Sequence, residues 1–358
     1  METSTGKQRR FTRNLMDWHR THNDRSLPWK GEKDPYRIWL SEVILQQTRA
    51  QQGIPYYLKF LEAFPDIHAM AAAEDEAVFR LWQGLGYYNR CRNMLATARY
   101  LARECGGIFP GSYELLLGLK GIGPYTAAAI GSFAFGLPLA VVDGNVYRVL
   151  ARHFGIELSP GSSEGKKIFQ SLADALPDPA DSAGYNQAIM DLGATVCTPA
   201  APKCTLCPVL ENCFAYRHEA TSLLPVRVKK QPVRKRYFHY LLFRTPAHVW
   251  IRKREGKDIW RDLYEPWLLE TDAPVDERRI AEEEIIRQWK LPPEHIRFEG
   301  ASTQRLTHQL IETRFFSVHL PELRPVQEDH GSWIEWTALK NYAFPKTLVS
   351  FFEKKQYF

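Results

Sequence analysis

The segment Leu116–Leu150 constrains the fold more than any other stretch, because it places Gly-Ile-Gly in a turn between two apolar helical patterns. Gly121 and Gly123 can adopt positive φ angles and let a partner approach the backbone closely. Pro124 suits the first position of the helix that follows. Such a turn, followed by a helix with free N–H groups in its first turn, can hold one phosphate. A plain helical hairpin explains Gly-Ile-Gly equally well.

Apolar residues recur at helical spacing through most of the first 220 residues, where strand-like alternation is almost absent. The pattern predicts an all-helical domain over residues 1–222. One of its predicted helices runs from Tyr36 to Gln52, with Asp34 as the N-cap and Pro35 at the first helical position.

The composition changes at residue 223. Residues 223–236 are rich in Arg, Lys and Pro, and they are predicted to form an extended basic linker. From residue 237 the apolar residues alternate as in strands, with helical patterns at 276–289 and 345–355. Residues 237–358 are therefore predicted to form a separate α+β domain.

Length and charge limit the possible functions without selecting one. The 358 residues are enough for two domains, and the net charge of +6 permits an anionic partner. No apolar run is long enough to span a membrane, and the amino terminus lacks the apolar core of a signal peptide. We therefore expect a soluble, cytoplasmic protein.

Four of the six cysteines are crowded into a single Pro-rich loop. Cys197, Cys204, Cys207 and Cys213 have the spacing C-x6-C-x2-C-x5-C, and four thiolates this close can surround tetrahedral zinc or a four-iron cluster. Zinc sites typically use two short Cys-x2-Cys hooks, whereas this loop has one. The spacing therefore favours an iron–sulfur cluster only modestly.

Two carboxylates stand in unusual positions. Glu42 projects from an apolar helix face, beside Ile38 and Trp39, where a carboxyl group either has a raised pKa or is paired with Arg37 or Arg49. The first alternative suits a general acid.

Asp143 follows an apolar run and precedes an apparent helix start, so the local sequence favours an N-cap. A residue at a helix entrance can also face a cleft. One protonated and one ionised carboxyl group are what cleavage of a glycosidic bond requires.

Several motifs occur in one order before the cysteine loop: SEVILQQT, GLGYYNRCRN, LKGIGPYTAAAI, VVDGNVYRV and NQAIMDLGATVC. Over residues 11–215 the chain resembles the helix-hairpin-helix, iron–sulfur DNA glycosylases, and among them the adenine-specific MutY type. The resemblance implies an all-α glycosylase fold, made of a six-helix barrel and an iron–sulfur cluster domain. It also implies that the four cysteines bind a [4Fe-4S] cluster.

The resemblance further implies base excision repair of adenine mispaired with 8-oxoguanine or guanine in double-stranded DNA, after the adenine is flipped out. Glu42 matches the general acid that protonates the adenine ring. Asp143 matches the carboxylate that stabilises the sugar cation, and Asn145 matches its polar support. We expect a monomer, associated with the nucleoid if the host is bacterial.

Tyr125 separates two branches of this family. Relatives that also nick DNA carry at this place a Lys, whose amine forms a Schiff base, and a phenol cannot do so. Lys120 stands before the glycines, at the wrong position for that role. The resemblance therefore implies a monofunctional glycosylase with Tyr125 as an active-site tyrosine.

Further residues match DNA contacts of the family, either in the base stack or on the DNA backbone. They are Gln47, Arg49, Leu85, Tyr87, Lys120, Gly121 and Gly123. Without the family they are ordinary helix-end, turn or core residues.

Residues 249–270 resemble, more weakly, the Nudix-like domain of the same branch, which inspects the base opposite adenine. The helical pattern from Asp276 lacks the Gly and the Arg-Glu-x-x-Glu-Glu spacing of a Nudix hydrolase, so we do not predict nucleotide hydrolysis. Leu306-Thr307-His308 stands where the family usually has Phe-Ser-His. Thr307 and His308 are the predicted contacts to the oxidised base, and the loss of the Phe ring puts the strength of discrimination in question.

Two other functions compete with adenine excision. A bifunctional glycosylase/lyase for damaged pyrimidines is disfavoured by Tyr125 and by the second domain. A non-catalytic iron–sulfur DNA-binding protein would not need Glu42 and Asp143 together in their motifs.

Overall fold

The computed structural model describes residues 4–226, 232–326 and 331–357, which belong to two compact units. The first unit comprises Met1–Ala72 and Arg92–Lys229, and the second comprises Ala73–Cys91 and Lys230–Phe358. The second unit thus includes a short segment from the amino-terminal half, whereas the sequence predicted that this segment belongs to the helical domain.

Every regular element before residue 226 in the described part of the chain is helical, as predicted. They are α1 (Ser4–His22), α2 (Pro35–Leu45), α3 (Ala50–Ala63), α4 (Ile67–Ala72), α5 (Asp75–Trp82), α6 (Asn89–Glu104), α7 (Tyr113–Leu117), α8 (Pro124–Phe135), α9 (Gly144–Phe154), α10 (Ser163–Asp174), α11 (Ser182–Thr195) and α12 (Phe214–Arg217). Helix α5 belongs to the second unit.

The predicted start of α2 is confirmed, and its predicted end is wrong. Asp34 caps the helix by accepting the Tyr36 N–H at 2.8 Å, and Pro35 occupies the first helical position. The helix ends at Leu45 rather than Gln52, and Gln47 adopts a φ of 57° before α3 begins. Gln and Thr tolerate a helix about as well as they tolerate a turn, so the sequence carries no strong stop signal there.

Helices α9 and α11 pack around a shared core in the first unit. Val149 and Leu150 of α9 are buried in one cluster with Ile189 and Leu192 of α11 and with Phe169 of α10. This core supports the first turn of α9, where Asp143 is located.

The second unit contains a mixed β-sheet. Its strands are β1 (Arg234–Arg244), β2 (His248–Lys253), β3 (Tyr264–Glu265), β4 (Trp267–Thr271), β5 (Ile296–Arg305), β6 (Gln309–His319) and β7 (Gly331–Glu335). The order along the sheet is β3-β2-β1-β6-β5, while β4 also pairs with β1 and β7 with β2. Strands β1 and β6 run parallel, with Arg234 opposite Gln309, and β5 pairs antiparallel with β6. The predicted α+β character is confirmed.

Two predicted boundaries in this unit need correction. The linker expected over 223–236 overlaps β1, which begins at Arg234. Arg236 lies 2.7 Å from the carboxylates of both Asp258 and Glu270, so it is not a solvated spacer residue. Residues 227–231 of that linker lie outside the described residues. The single helix expected at 276–289 is divided into α13 (Glu277–Ala281) and α14 (Glu284–Gln288), whereas the predicted carboxy-terminal helix is present as α15 (Lys346–Lys354).

Within the described ranges, none of the helices combines the length and apolar character that a membrane crossing requires.

Candidate active site

The four predicted catalytic residues line one cavity of about 1340 Å³ in the first unit. Glu42 comes from the middle of α2, and Tyr125 from the first turn of α8. Asp143 and Asn145 come from the start of α9. Helix α2 thus brings its polar side chain to the same space as the consecutive helices α8 and α9, which lie about 80 residues further along the chain.

Glu42 is the most deeply buried of these carboxyl groups, with 5% of its surface exposed. Burial raises its pKa to about 7, although the Tyr125 hydroxyl donates a hydrogen bond that opposes the shift, and the negative charge of Asp143 adds to it. Arg37, considered above as a partner, pairs instead with Glu32 at 3.3 Å. The geometry therefore agrees with a carboxylic acid that holds its proton near neutral pH.

Asp143 is the N-cap of α9, as the local sequence predicts. Its Oδ1 accepts the backbone N–H groups of Asn145 and Val146 at 2.8 Å, and its Oδ2 accepts Asn145 Nδ2 at 2.7 Å. Burial raises the pKa of Asp143 above its ordinary value, although these three donors act to lower it. N–H donors and the helix N-terminus favour the ionised form. Glu42 lacks such a set of donors among the bonds described, so the proton shared by the pair belongs on Glu42.

Arg148 supports Asn145 from the next turn of α9. Its Nη2 donates to Asn145 Oδ1 at 2.8 Å and to the Gly193 carbonyl at 2.7 Å, and its Nε donates to the Cys197 carbonyl at 2.7 Å. The amide of Asn145 thereby acquires a fixed orientation, with its Nδ2 turned to Asp143.

Two cations also line the cavity, on the segment between α1 and α2. Arg25 Nη1 lies 2.6 Å from Asp191 Oδ1, and Lys30 Nζ lies 3.2 Å from Asp191 Oδ2. Asn23 Nδ2 donates to the same fully buried carboxylate at 2.7 Å. Asp191 thus holds two positive side chains against the cavity wall.

The two glycines of the turn adopt different backbone conformations. Gly121 adopts a φ of 79°, and a Cβ there would come within 2.6 Å of Asn93 Cβ, so only glycine fits. Gly123 has a φ of −92° and caps α8 in an extended conformation, so it does not use the positive φ that is open to glycine. A Cβ on Gly123 would meet nothing within 4 Å. Lys120 is exposed beside the turn.

The turn between α2 and α3 presents Gln47 and Arg49, which are both exposed and line the cavity. The φ of 57° at Gln47 belongs to the left-handed region, which non-glycine residues enter at a cost of about 1–2 kcal/mol. The structure thus brings these two predicted DNA contacts to the mouth of the space that Glu42 occupies.

The second unit brings together two of its predicted DNA contacts. Tyr87 is 48% exposed and has a φ of 47°, and its hydroxyl is hydrogen-bonded to the Thr307 hydroxyl. Thr307 and His308 are exposed in the tight turn that joins β5 to β6. Leu85, in contrast, is only 6% exposed, so its side chain packs inside the protein and offers little surface to DNA.

The four cysteines lie between the carboxy-terminal end of α11 and the start of α12. The thiol of Cys207 interacts electrostatically with those of Cys197, Cys204 and Cys213, and burial raises its pKa to about 12. Arg152 Nη1 lies 3.4 Å from Cys197 Sγ. In the described part of the chain, no group of three or more His, Cys, Asp or Glu side chains forms a site for a metal ion.

Comparison with known proteins connects this site to a family. Residues 40–175 match the model of the HhH-GPD superfamily base excision DNA repair proteins. The adenine DNA glycosylase of Buchnera aphidicola subsp. Baizongia pistaciae is 34% identical over 255 residues, which cover 71% of this chain and 72% of that protein. The chain belongs to the adenine DNA glycosylase family. The family member from Homo sapiens is 42% identical over 224 residues, which cover 60% of this chain and 41% of the human protein.

Solved structures agree with a glycosylase fold for this adenine DNA glycosylase family member. A thermostable thymine-DNA glycosylase has a TM-score of 0.55 at 28% identity, over 59% of this chain and 97% of that protein. Endonuclease III in a non-covalent complex with DNA has a TM-score of 0.51 at 21% identity, over 60% of this chain and 97% of that chain. The second likeness concerns the fold alone.

The site of this family member includes residues that sequence reasoning missed. Arg25, Lys30, Asp191, Arg148 and Asn186 were not selected, although the last three stand inside quoted motifs. Each acts through a contact to another element, and a single sequence does not reveal such pairings. A buried Asp in an otherwise apolar helix, as at Asp191, is the kind of signal that could have been followed.

Proposed function

We propose that this protein removes adenine mispaired with 8-oxoguanine or guanine from double-stranded DNA by hydrolysing the N-glycosidic bond. The observation that carries the proposal is the pair Glu42 and Asp143 in one cavity, since burial raises the pKa of the first to about 7 while three N–H groups hold the second. Family membership indicates that the excised base is adenine, and the two carboxyl groups indicate how its glycosidic bond is cleaved.

In the proposed mechanism the adenine nucleotide rotates out of the duplex into the cavity. Glu42 gives its proton to a ring nitrogen of adenine, because neutral adenine is a poor leaving group. The glycosidic bond then breaks with its electron pair passing to the base, and the positive charge that develops on the sugar is stabilised by the Asp143 carboxylate. Glu42, now ionised, accepts a proton from the water that attacks the sugar.

The enzyme is monofunctional in this proposal. Burial raises the pKa of Tyr125 well above its ordinary value, so its hydroxyl stays neutral and donates to Glu42. A phenol cannot form the Schiff base that β-elimination requires. Lys120 is exposed at the glycine turn, where an amine suits a DNA phosphate.

DNA contacts are proposed for two surfaces. In the first unit, Gly121 and Gly123 approach the DNA backbone, while Gln47 and Arg49 enter or flank the base stack. In the second unit, Tyr87, Thr307 and His308 meet the oxidised base. Leu85 supports the loop that carries Tyr87 from inside, because its side chain is buried.

The cysteine loop is proposed to bind a [4Fe-4S] cluster through Cys197, Cys204, Cys207 and Cys213. The donor set suits a cluster in its chemistry, because four thiols stand in one loop and Arg152 Nη1, 3.4 Å from Cys197 Sγ, is close enough to balance the negative charge of ligated thiolates. When bound, such a cluster supplies covalent cross-links that order the loop. The helical unit would then contain a six-helix barrel and a cluster domain, and the sheet unit a Nudix-like domain, in a protein that acts as a monomer.

The test uses duplexes with adenine opposite 8-oxoguanine, with excess enzyme and single-turnover kinetics. The wild-type protein should release adenine, whereas Glu42→Gln and Asp143→Asn should bind the duplex with little change in Kd and lose activity by at least about a hundredfold. Full activity in either variant would refute the mechanism. Strand nicking by elimination, lost in Lys120→Ala, would show a lyase instead.

Recognition of the oxidised base is tested separately. The double variant Thr307→Ala, His308→Ala should lower the preference for 8-oxoguanine over guanine and leave the rate on adenine opposite guanine nearly unchanged. An unchanged preference would remove both residues from the proposed contact.

A further inference from the structure

Asp143 is reached through a segment that lacks regular structure. Residues 137–142 connect α8 to α9 and belong to neither helix nor strand. Helices fix their backbone through repeated internal bonds, whereas such a segment depends on individual contacts for its position. The placement of Asp143 therefore requires an outside support.

Asn186 of α11 provides this support from one side. Its side chain is fully buried, and its Oδ1 accepts the Val141 N–H at 3.0 Å while its Nδ2 donates to the Leu139 carbonyl at 2.8 Å. The same Nδ2 lies 2.9 Å from Ser132 Oγ of α8. One amide thus bonds two backbone groups of the segment and ties them to the helix that begins beside Tyr125.

Gly193, on the same helix, acts from the other side of Asp143. A Cβ at this position would come within 2.6 Å of Asn145 Cβ and within 3.1 Å of the Asn145 backbone. The Gly193 carbonyl also accepts Arg148 Nη2 at 2.7 Å. The first turn of α9 therefore rests directly on the backbone of α11.

The geometry points to Asn186 and Gly193 as positioning residues that set the place of Asp143 relative to Glu42. Asn186 fixes the chain two residues before Asp143, and Gly193 fixes the residue whose amide donates to the Asp143 carboxylate. Neither residue has a hydrogen bond to Glu42 or Asp143 among the contacts described. The inference rests on the proposed function, because it assigns a role in that reaction.

The experiment compares Asn186→Ala and Gly193→Ala with two controls in single-turnover excision of adenine opposite 8-oxoguanine. Ser132→Ala removes only the third partner of Asn186, and Ile189→Ala opens a cavity in α11 without touching the segment. Both test variants should lower the rate constant about 10- to 100-fold at unchanged duplex Kd, since a displacement of about 1 Å from reacting geometry has this effect. Both controls should stay within about threefold of the wild type, below the loss expected from misplacement.

The pH profile separates positioning from a loss of stability. The charge of Asp143 contributes to the raised pKa of Glu42, so a displaced Asp143 should move the alkaline limb of the rate profile to lower pH in the test variants alone. Rates near the wild-type value, or an equal loss in Ile189→Ala with an unmoved limb, would overturn the inference. If Asn186→Ala does not fold, Gly193→Ala decides, because alanine favours the helix and only the clash with Asn145 opposes it. An inactive wild-type protein would count against the proposed function instead.

Discussion

Glu42 and Asp143 carry the same chemical group in two different environments, and these environments favour different protonation states. Asp143 accepts three N–H groups at a helix N-terminus, which stabilise its charge. Glu42 is buried, and the effect of burial on its pKa outweighs the opposing hydrogen bond from the Tyr125 hydroxyl, so its proton is retained. The proposed division into acid and anion thus follows from the elements that carry the two residues.

The first prediction concerns pH. The rate of adenine release should fall about tenfold per pH unit above pH 7, because the reaction needs the protonated form of Glu42, whose pKa is about 7. The hydrogen bond from Tyr125 lowers the pKa of Glu42 in the wild-type protein. Tyr125→Phe removes this bond, so the pKa of Glu42 should rise and the limb should move to higher pH. Single-turnover rates between pH 5.5 and 9 measure both effects. A limb that stays in place, or moves to lower pH, would contradict the assigned hydrogen bond.

The second prediction concerns stability. The pKa of Glu42 is 4.5 ordinarily and about 7 in the folded protein, so folding binds a proton between these values. The free energy of unfolding is therefore highest below pH 4.5, and it falls by about 3 kcal/mol in total as the pH rises through 7. Glu42→Gln should therefore unfold at a higher temperature than the wild type at pH 8 and show no such gain near pH 4.5. Equal gains at both pH values would point to packing instead of charge.

At this scale the sequence singled out the two carboxyl groups of the proposed reaction, whose roles the family resemblance implied, and missed their supports. Glu42 and Asp143 stand out because a carboxyl group on an apolar face or after an apolar run is unusual. Asn186 and Gly193 look like ordinary helix residues, and their role exists only because α9 and the segment before it pack against them.

The third prediction belongs to the turn between α2 and α3. Gln47→Gly and Gln47→Ala both remove the amide that we propose enters the base stack, but only glycine relieves the φ of 57°. The glycine variant should have the larger free energy of unfolding, by about 1 kcal/mol, while both variants lose the same activity on mispaired DNA. Urea unfolding and single-turnover kinetics measure the two quantities. If the alanine variant is equally stable, the turn relaxes and is not strained.

The elements whose apolar residues recur with a strong helical or strand periodicity could be predicted from the sequence, and those with a weak periodicity could not. Strand β5 has a weak apolar pattern, because its residues are mostly exposed or half-buried on both faces. The break between α13 and α14 was missed because the Glu-rich sequence favours helix throughout. Beyond this, the amphipathic pattern of α2 continued past its true end, since the turn residues match the helical period.

The fourth prediction concerns the whole molecule. Helix α5 belongs to the second unit, where Lys253 pairs with Glu76 at 3.0 Å and the Phe344 N–H bonds Gln83 at 3.4 Å. Native-state hydrogen exchange should therefore show that Phe316→Leu, which loosens the core of the sheet, speeds exchange in α5 but not in α9.

The matched control is Val149→Ala in the core of the first unit, which should speed exchange in α9 and spare α5. If Val149→Ala also speeds amide hydrogen exchange in α5, this helix belongs to the first unit, as the single boundary predicted at residue 222 implies.

The discontinuity of the second unit has a consequence for synthesis on the ribosome. The segment 73–91 emerges early, while its partners Lys253 and Phe344 follow 177 and 261 residues after Glu76 and Gln83. Translation proceeds at about 5–20 residues per second, so this segment waits on the order of ten seconds or more for its sheet. Its Val78, Phe79 and Trp82, buried in the finished protein, are apolar surface during that interval. We therefore expect nascent chains that stop before residue 232 to bind chaperones through this segment, and release to follow completion of the sheet.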